Sequence, residues 1–83
     1  MNYSLHVKVI QYDNKSSHND AAIVLVDTST KSVKHYCYAR WGNVRNMSEL
    51  QLVKYMWDLL DSRKPNEYVA HMLWEVEHRL SNV

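Results

Sequence analysis

From Tyr3 to Tyr12 the chain reads YSLHVKVIQY, with Tyr3, Leu5, Val7 and Val9 at alternate positions and the polar Ser4, His6 and Lys8 between them. A period of two is what a strand with one buried face requires, so a first strand is expected here. Residues 13–20, DNKSSHND, show no period and read as a polar loop. AAIVLVD, Ala21 to Asp27, is an unbroken apolar run rich in branched residues and suits a strand central in a sheet or covered on both faces. After the turn TSTKS, alternation returns in VKHYCYARW: Val33, His35, Cys37, Ala39 and Trp41 share one face, and Lys34, Tyr36, Tyr38 and Arg40 share the other.

Beyond GNVRN the period changes to that of a helix. In RNMSELQLVKYMWDLL, Arg45 to Leu60, the residues Leu52, Val53, Met56, Leu59 and Leu60 form one stripe. Asn46 with Glu49, or Ser48 with Gln51, supplies a capping box at its start. DSRKPN ends this helix, because Pro65 cannot continue it. A second stripe follows in Val69, Met72, Leu73, Val76 and Leu80, with Glu75 and Arg79 spaced to pair one turn apart. Trp57 and Trp74 lie off the main stripes and are expected to widen them or to mark a docking surface. The pattern predicts an α+β domain spanning residues 1–83: a three-stranded antiparallel sheet followed by two helices packed on one face, in the order β-β-β-α-α.

Composition narrows the function classes. A chain of 83 residues buries only ~60% of its unfolded surface. Even so, 46% apolar and 23% charged residues place it among folding chains. One glycine and one proline leave the turns to Asn, Asp and Ser. A net charge of +1 announces neither nucleic acid nor a membrane surface, so any electrostatic recognition must be local. Cys37 is the single cysteine, which excludes an internal disulfide and a cysteine zinc cage and suits a reducing compartment. With no membrane-length apolar run and no signal-peptide pattern at Met1 to Gln11, a cytoplasmic protein without a membrane partner is expected.

Glu49 is the conspicuous charged residue, because it falls on the stripe that should face the core. In the first turn of a helix a Glu serves as a cap and sits favourably in the helix dipole. The expected outer face of the sheet carries His6, Lys8 and Tyr12 beside Lys34, Tyr36, Tyr38 and Arg40, with Lys31 and Arg45 at the strand ends. Cations interleaved with tyrosines suit single-stranded RNA, since charges meet phosphates while rings stack on unpaired bases. The same residues also serve as ordinary strand formers, as edge protection, or as an interface with another protein. His71, Glu75 and His78 share one helix face, which alone offers too few ligands for a metal. Cys37 reads as a small core residue. There is no Ser/His/Asp arrangement, glycine loop or paired-cysteine motif, and neither cofactor nor metal is expected.

The segment from IQYDNKS through NMSELQLVKYMWDLL, within residues 3–60, resembles the first half of the ribonuclease H-like fold: a strand ending in an acid, two further strands, and a helix opening on Glu-Leu. The resemblance implies that Asp13 and Glu49 would stand where that family holds metal ions for phosphodiester hydrolysis. This chain has YDNKS in place of the family's Thr-Asp-Gly-Ser, and no counterpart of the fourth strand or the later acids. Two carboxylates hold two magnesium ions poorly, so the expected function is non-catalytic: RNA binding, or inhibition of a nucleic-acid-handling protein. By analogy alone, the small size suits a phage-encoded anti-defence inhibitor or an antitoxin. The alternatives are a minimal metal-dependent nuclease using Asp13 and Glu49, and a structural homodimer.

Overall fold

The structure, a computed structural model, describes residues 3–13, 19–61 and 66–82. Strands β1 (Leu5–Gln11), β2 (Ala21–Asp27) and β3 (Ser32–Ala39) form one antiparallel sheet in that order. A short helix α1 (Trp41–Val44) follows, then α2 (Glu49–Asp61) and α3 (Glu67–Ser81). The α+β architecture with its helices after the sheet is the expected one. The unbroken apolar run of β2 is explained by its central place, where Ala21, Ile23 and Leu25 face the helices and Ala22 and Val24 face outward.

One layer of core lies between sheet and helices. Leu5, Val7, Ala21, Ile23, Leu25 and Ala39 from the sheet meet Val44, Leu52, Val53, Met56, Leu60, Val69, Leu73 and Val76. Leu59 is half-buried, and Met72 and Leu80 border the cluster from outside it. The two long helices pack on each other and chiefly against β1, so β3 is the less covered edge. Trp57 is half-buried against the core, its indole N–H without a partner among the described residues.

Two local features depart from the expected pattern. First, Trp41, expected on the inward face of the third strand, instead opens α1, whose Val44 plugs the core with no exposed surface. Asp20 fixes its start, since its Oδ1 accepts the Trp41 N–H at 2.8 Å, while the Arg40 carbonyl accepts the N–H of Asn43 and Val44. Second, Val33 does not share a face with His35 and Cys37. Leu25 is paired with His35 and Val26 with Val33, so Lys34 is the extra residue of a β-bulge. The bulge reverses the alternation, and Val33 stands 58% exposed on the outer face.

Turns lacking glycine are built from side chains, as composition requires. At the β2–β3 turn Asp27 Oδ1 accepts from Ser4 Oγ at 2.8 Å, Ser29 Oγ at 2.7 Å and Ser29 N at 3.0 Å, and Lys31 takes a left-handed φ of 56°. The Ser29 hydroxyl, then that of Ser4, holds the Asp27 carboxyl below its ordinary pKa.

Helix α2 begins at Glu49 rather than near Arg45, because Ser48 and Gln51 make the capping box. Ser48 N–H donates to Gln51 Oε1 at 2.8 Å and Gln51 N–H to Ser48 Oγ at 3.2 Å. Ser48→Ala is therefore expected to cost about 1 kcal/mol in urea-denaturation stability; an unchanged midpoint would contradict this cap. At α3, Asn66 Oδ1 accepts the Tyr68 N–H at 2.9 Å.

Candidate functional site

With Ser48 and Gln51 capping α2, the Glu49 carboxylate is directed to the sheet. Its Oε2 accepts the Val7 N–H at 2.9 Å and lies 3.2 Å from His6 Nδ1. Arg79 completes the arrangement from α3. Its Nη2 is 3.4 Å and 3.5 Å from the two Glu49 oxygens, and its Nη1 donates to the Leu5 carbonyl at 2.6 Å and the Tyr3 carbonyl at 3.3 Å. β1 is an edge strand, so among the described residues these outward backbone groups have no strand to pair with, and the two charged side chains satisfy them. The Glu49 side chain is only 26% exposed and that of Arg79 11%.

This answers why a carboxylate occupies an inward position. Glu49 keeps its place in the first turn, but the cap expected of it belongs to Ser48 and Gln51. The expected Glu75–Arg79 pair is also replaced: Glu75 Oε1 meets His71 Nε2 at 3.2 Å. Arg79 was not singled out from sequence as part of this arrangement. The available signal was its place beside Val76 and Leu80 on the buried stripe, matching that of Glu49 on α2.

The alternative pairing of Glu49 with Asp13 does not form. Glu49 sits at Val7, whereas Asp13 is exposed beyond the end of β1, with the chain still paired at Tyr12 through its N–H to the Asp20 carbonyl. Tyr12 lies five residue steps beyond Val7, a span of roughly 16 Å along an extended chain. A guanidinium, moreover, already faces the carboxylate on which a cation would depend. Among the described residues no group of three or more His, Cys, Asp or Glu is gathered to hold a metal. His78, expected beside His71 and Glu75, stacks instead on Trp74.

The outer sheet face is where the singled-out residues do converge. The register sets Lys8, Val24 and Tyr36 in one row and Ile10, Ala22 and Tyr38 in the next. His6, Val26 and Val33 form a third row, although the His6 ring reaches back to Glu49. None of these nine side chains is acidic. Small residues occupy the middle strand and large ones flank it, so Ala22 and Val24 are buried while Tyr36 and Tyr38 are 55% and 59% exposed. The Tyr36 and Tyr38 rings meet edge to face at 5.6 Å, and Tyr12 meets Tyr38 at 6.4 Å. Proximity of Tyr36, through charge and hydrogen bonding, pushes the Tyr38 hydroxyl above its ordinary pKa.

The positive groups border this floor. Lys8 lies within it, Lys31 in the turn at one end and the exposed Arg40 just past β3 at the other. Lys8, Ile10, Val24, Val26, Lys31 and Val33 border an open groove of about 350 Å³. Asp27 stands at its rim with one carboxylate oxygen engaged by Ser4 and Ser29. Lys34, expected in the rows, occupies the bulge, and Arg45 follows α1 outside the strands.

A second recess of about 240 Å³ lies on the helix side of β3, between His35 and Cys37 and the end of α2 at Leu59 and Leu60. Cys37 Sγ is 3.6 Å from His35 Nε2, and burial pushes the imidazole below its ordinary pKa. Cys37 thus occupies the inward face expected of it. Comparisons with family models, with curated proteins and with solved structures find no match to this chain.

Proposed function

We propose that this is a non-catalytic module that binds single-stranded RNA on the open face of its sheet. The observation that carries the reading is the pair Tyr36 and Tyr38, each more than half exposed on the face opposite the described helices, with Tyr36 in the row of Lys8 and no acidic residue in the three rows. An exposed ring offers a base a stacking surface whatever its identity, and a Lys nearby meets the phosphate that accompanies it. Lys31 and Arg40 at opposite ends extend the positive path along the strand direction. Buried Val24 and Ala22 fill the floor between the flanking strands, and the two rings meet edge to face above it.

Exposed aliphatic side chains favour a second reading. Ile10 and Val33 are half or more exposed beside the tyrosines, and neither offers a stacking ring. They suit a protein surface, and the second reading is inhibition of a nucleic-acid-handling protein docked on the same face.

The RNA reading predicts the salt response of a single variant. For single strands the logarithm of affinity falls with that of salt by ~0.7 for each phosphate neutralised. Lys8→Ala is expected to flatten that slope by about this amount in fluorescence-anisotropy titrations, with an affinity loss of severalfold at low salt. An unchanged slope would remove Lys8 from the surface.

A further inference from the structure

The outer face of the sheet does not end at the tyrosines. Toward the β2–β3 turn, Val26 follows Val24 on the same side of the middle strand, and its row is flanked differently from theirs. On β3 the bulge turns Val33 outward beside it, while on β1 the ring of His6 is drawn back to Glu49 at 3.2 Å. The row is left open as a result.

The groove of about 350 Å³ lies here, with Ile10, Val24, Val26 and Val33 as its aliphatic lining and Lys8 and Lys31 as its cations. Ile10 and Val33 are 50% and 58% exposed, so the lining is accessible from solvent. Asp27, at the rim, belongs by alternation with Leu25 rather than with Val24 and Val26, and its Oδ1 accepts from the hydroxyls of Ser4 and Ser29. Those bonds hold its carboxylate to the turn.

Lys31 stands where other residues fit better. Its φ of 56° is left-handed, a conformation that costs a side chain with a Cβ and that turns ordinarily give to Gly or Asn. A residue kept under strain while it lines a groove points to a use for its side chain.

We propose that this groove is a nucleotide subsite, which holds the base next to the one on Tyr36 against its aliphatic lining while Lys31 meets the phosphate beyond it. The inference rests on the RNA reading of the face and adds one position to it. The row of Lys8, Val24 and Tyr36 belongs to both surfaces, so a strand with a base on Tyr36 and a phosphate at Lys8 carries its next base onto Val26 and Val33. That base is held by buried apolar area instead of a ring. Aliphatic lining alone would suit a protein side chain equally, but a cation at each end suits a base with a phosphate on either side.

Methyl NMR of the full chain during titration with hexaadenylate tests the subsite, because an adenine lying over a methyl group shifts its protons upfield. Saturable upfield shifts are expected at the Val26 and Val33 methyls, together with shifts at Lys8 and Tyr36. Lys31→Asn is the second arm, followed by fluorescence anisotropy with the same strand and by thermal denaturation. It is expected to weaken binding about fivefold at low salt and to flatten the salt slope by ~0.7, while the melting temperature rises by a few degrees as the strain is relieved. Val26 and Val33 methyls that stay in place while Lys8 and Tyr36 shift, or a Lys31→Asn variant with wild-type affinity and slope, would overturn the subsite and leave the tyrosine platform standing. Weaker binding with a lowered melting temperature would make Lys31 a structural residue and overturn its role as anchor. No shift at Lys8 and Tyr36 at all would overturn the RNA reading itself.

Discussion

Replacing Tyr36 and Tyr38 together by alanine is expected to lower affinity for single-stranded RNA by about a hundredfold or more, since a base stacked on a ring contributes ~1–3 kcal/mol. Both rings are largely exposed, so the fold should survive their removal. They also shield Ala22 and Val24, however, and a leucine at both positions is the needed control. Leucine keeps those residues covered but offers no aromatic face. If the leucine variant binds RNA as tightly as wild type, stacking is not the source of affinity. If it binds as weakly as the alanine variant, the rings themselves are what the RNA meets. Retained affinity in the alanine variant would place RNA binding on another surface.

Glu49→Leu is expected to be the most destabilising single change considered. It removes the acceptor of the Val7 N–H and leaves the Arg79 guanidinium, 11% exposed, without its carboxylate. Leaving such donors unsatisfied costs about 2–3 kcal/mol in total. For a domain of this size that lowers the melting temperature by roughly 8–24 °C. Glu49→Gln keeps an oxygen for Val7 and should lose about half as much. The ordering separates three roles for this residue. A cap would lose a similar small amount in both variants, a metal ligand would lose activity rather than stability, and the edge clasp seen here loses stability in graded fashion. Thermal denaturation in which Glu49→Leu and Glu49→Gln both match the wild type would contradict the clasp.

Periodicity carried most of the fold. Alternation in YSLHVKVIQY and the uninterrupted AAIVLVD located a strand with one buried face and a central strand, because the middle strand of a sheet buries nearly both of its faces. The helical stripes were legible for the same reason: Leu52, Val53, Met56 and Leu60, then Val69, Leu73 and Val76, line one core. What alternation could not reveal was the bulge at Lys34. A single unpaired residue leaves the composition of a strand unchanged yet sends Val33 to the opposite face. The α1 turn was hidden because its helix holds only four residues and is fixed by Asp20, twenty-one positions before Trp41.

The tyrosines and Lys8 could be placed on the outer face from parity alone, since they lie on the regular side of the bulge. The clasp was harder to read. Its partners Val7, Glu49 and Arg79 are separated by forty-two and thirty positions, and one of them contributes only a backbone N–H. No residue type marks a strand as an edge, so a charge on an inward stripe gives the position of a question without its answer. Glu49 raised that question, and the three-dimensional arrangement of β1, α2 and α3 answers it.

The most direct test of the open-face account is amide and side-chain NMR of the labelled protein during titration with single-stranded RNA. The account predicts progressive, saturable shifts at Lys8, Ile10, Val24, Tyr36 and Tyr38, with Trp74 on α3 and the recess at His35 and Cys37 undisturbed. Shifts confined to α3 or to that recess, or a spectrum unchanged at near-millimolar RNA, would contradict it.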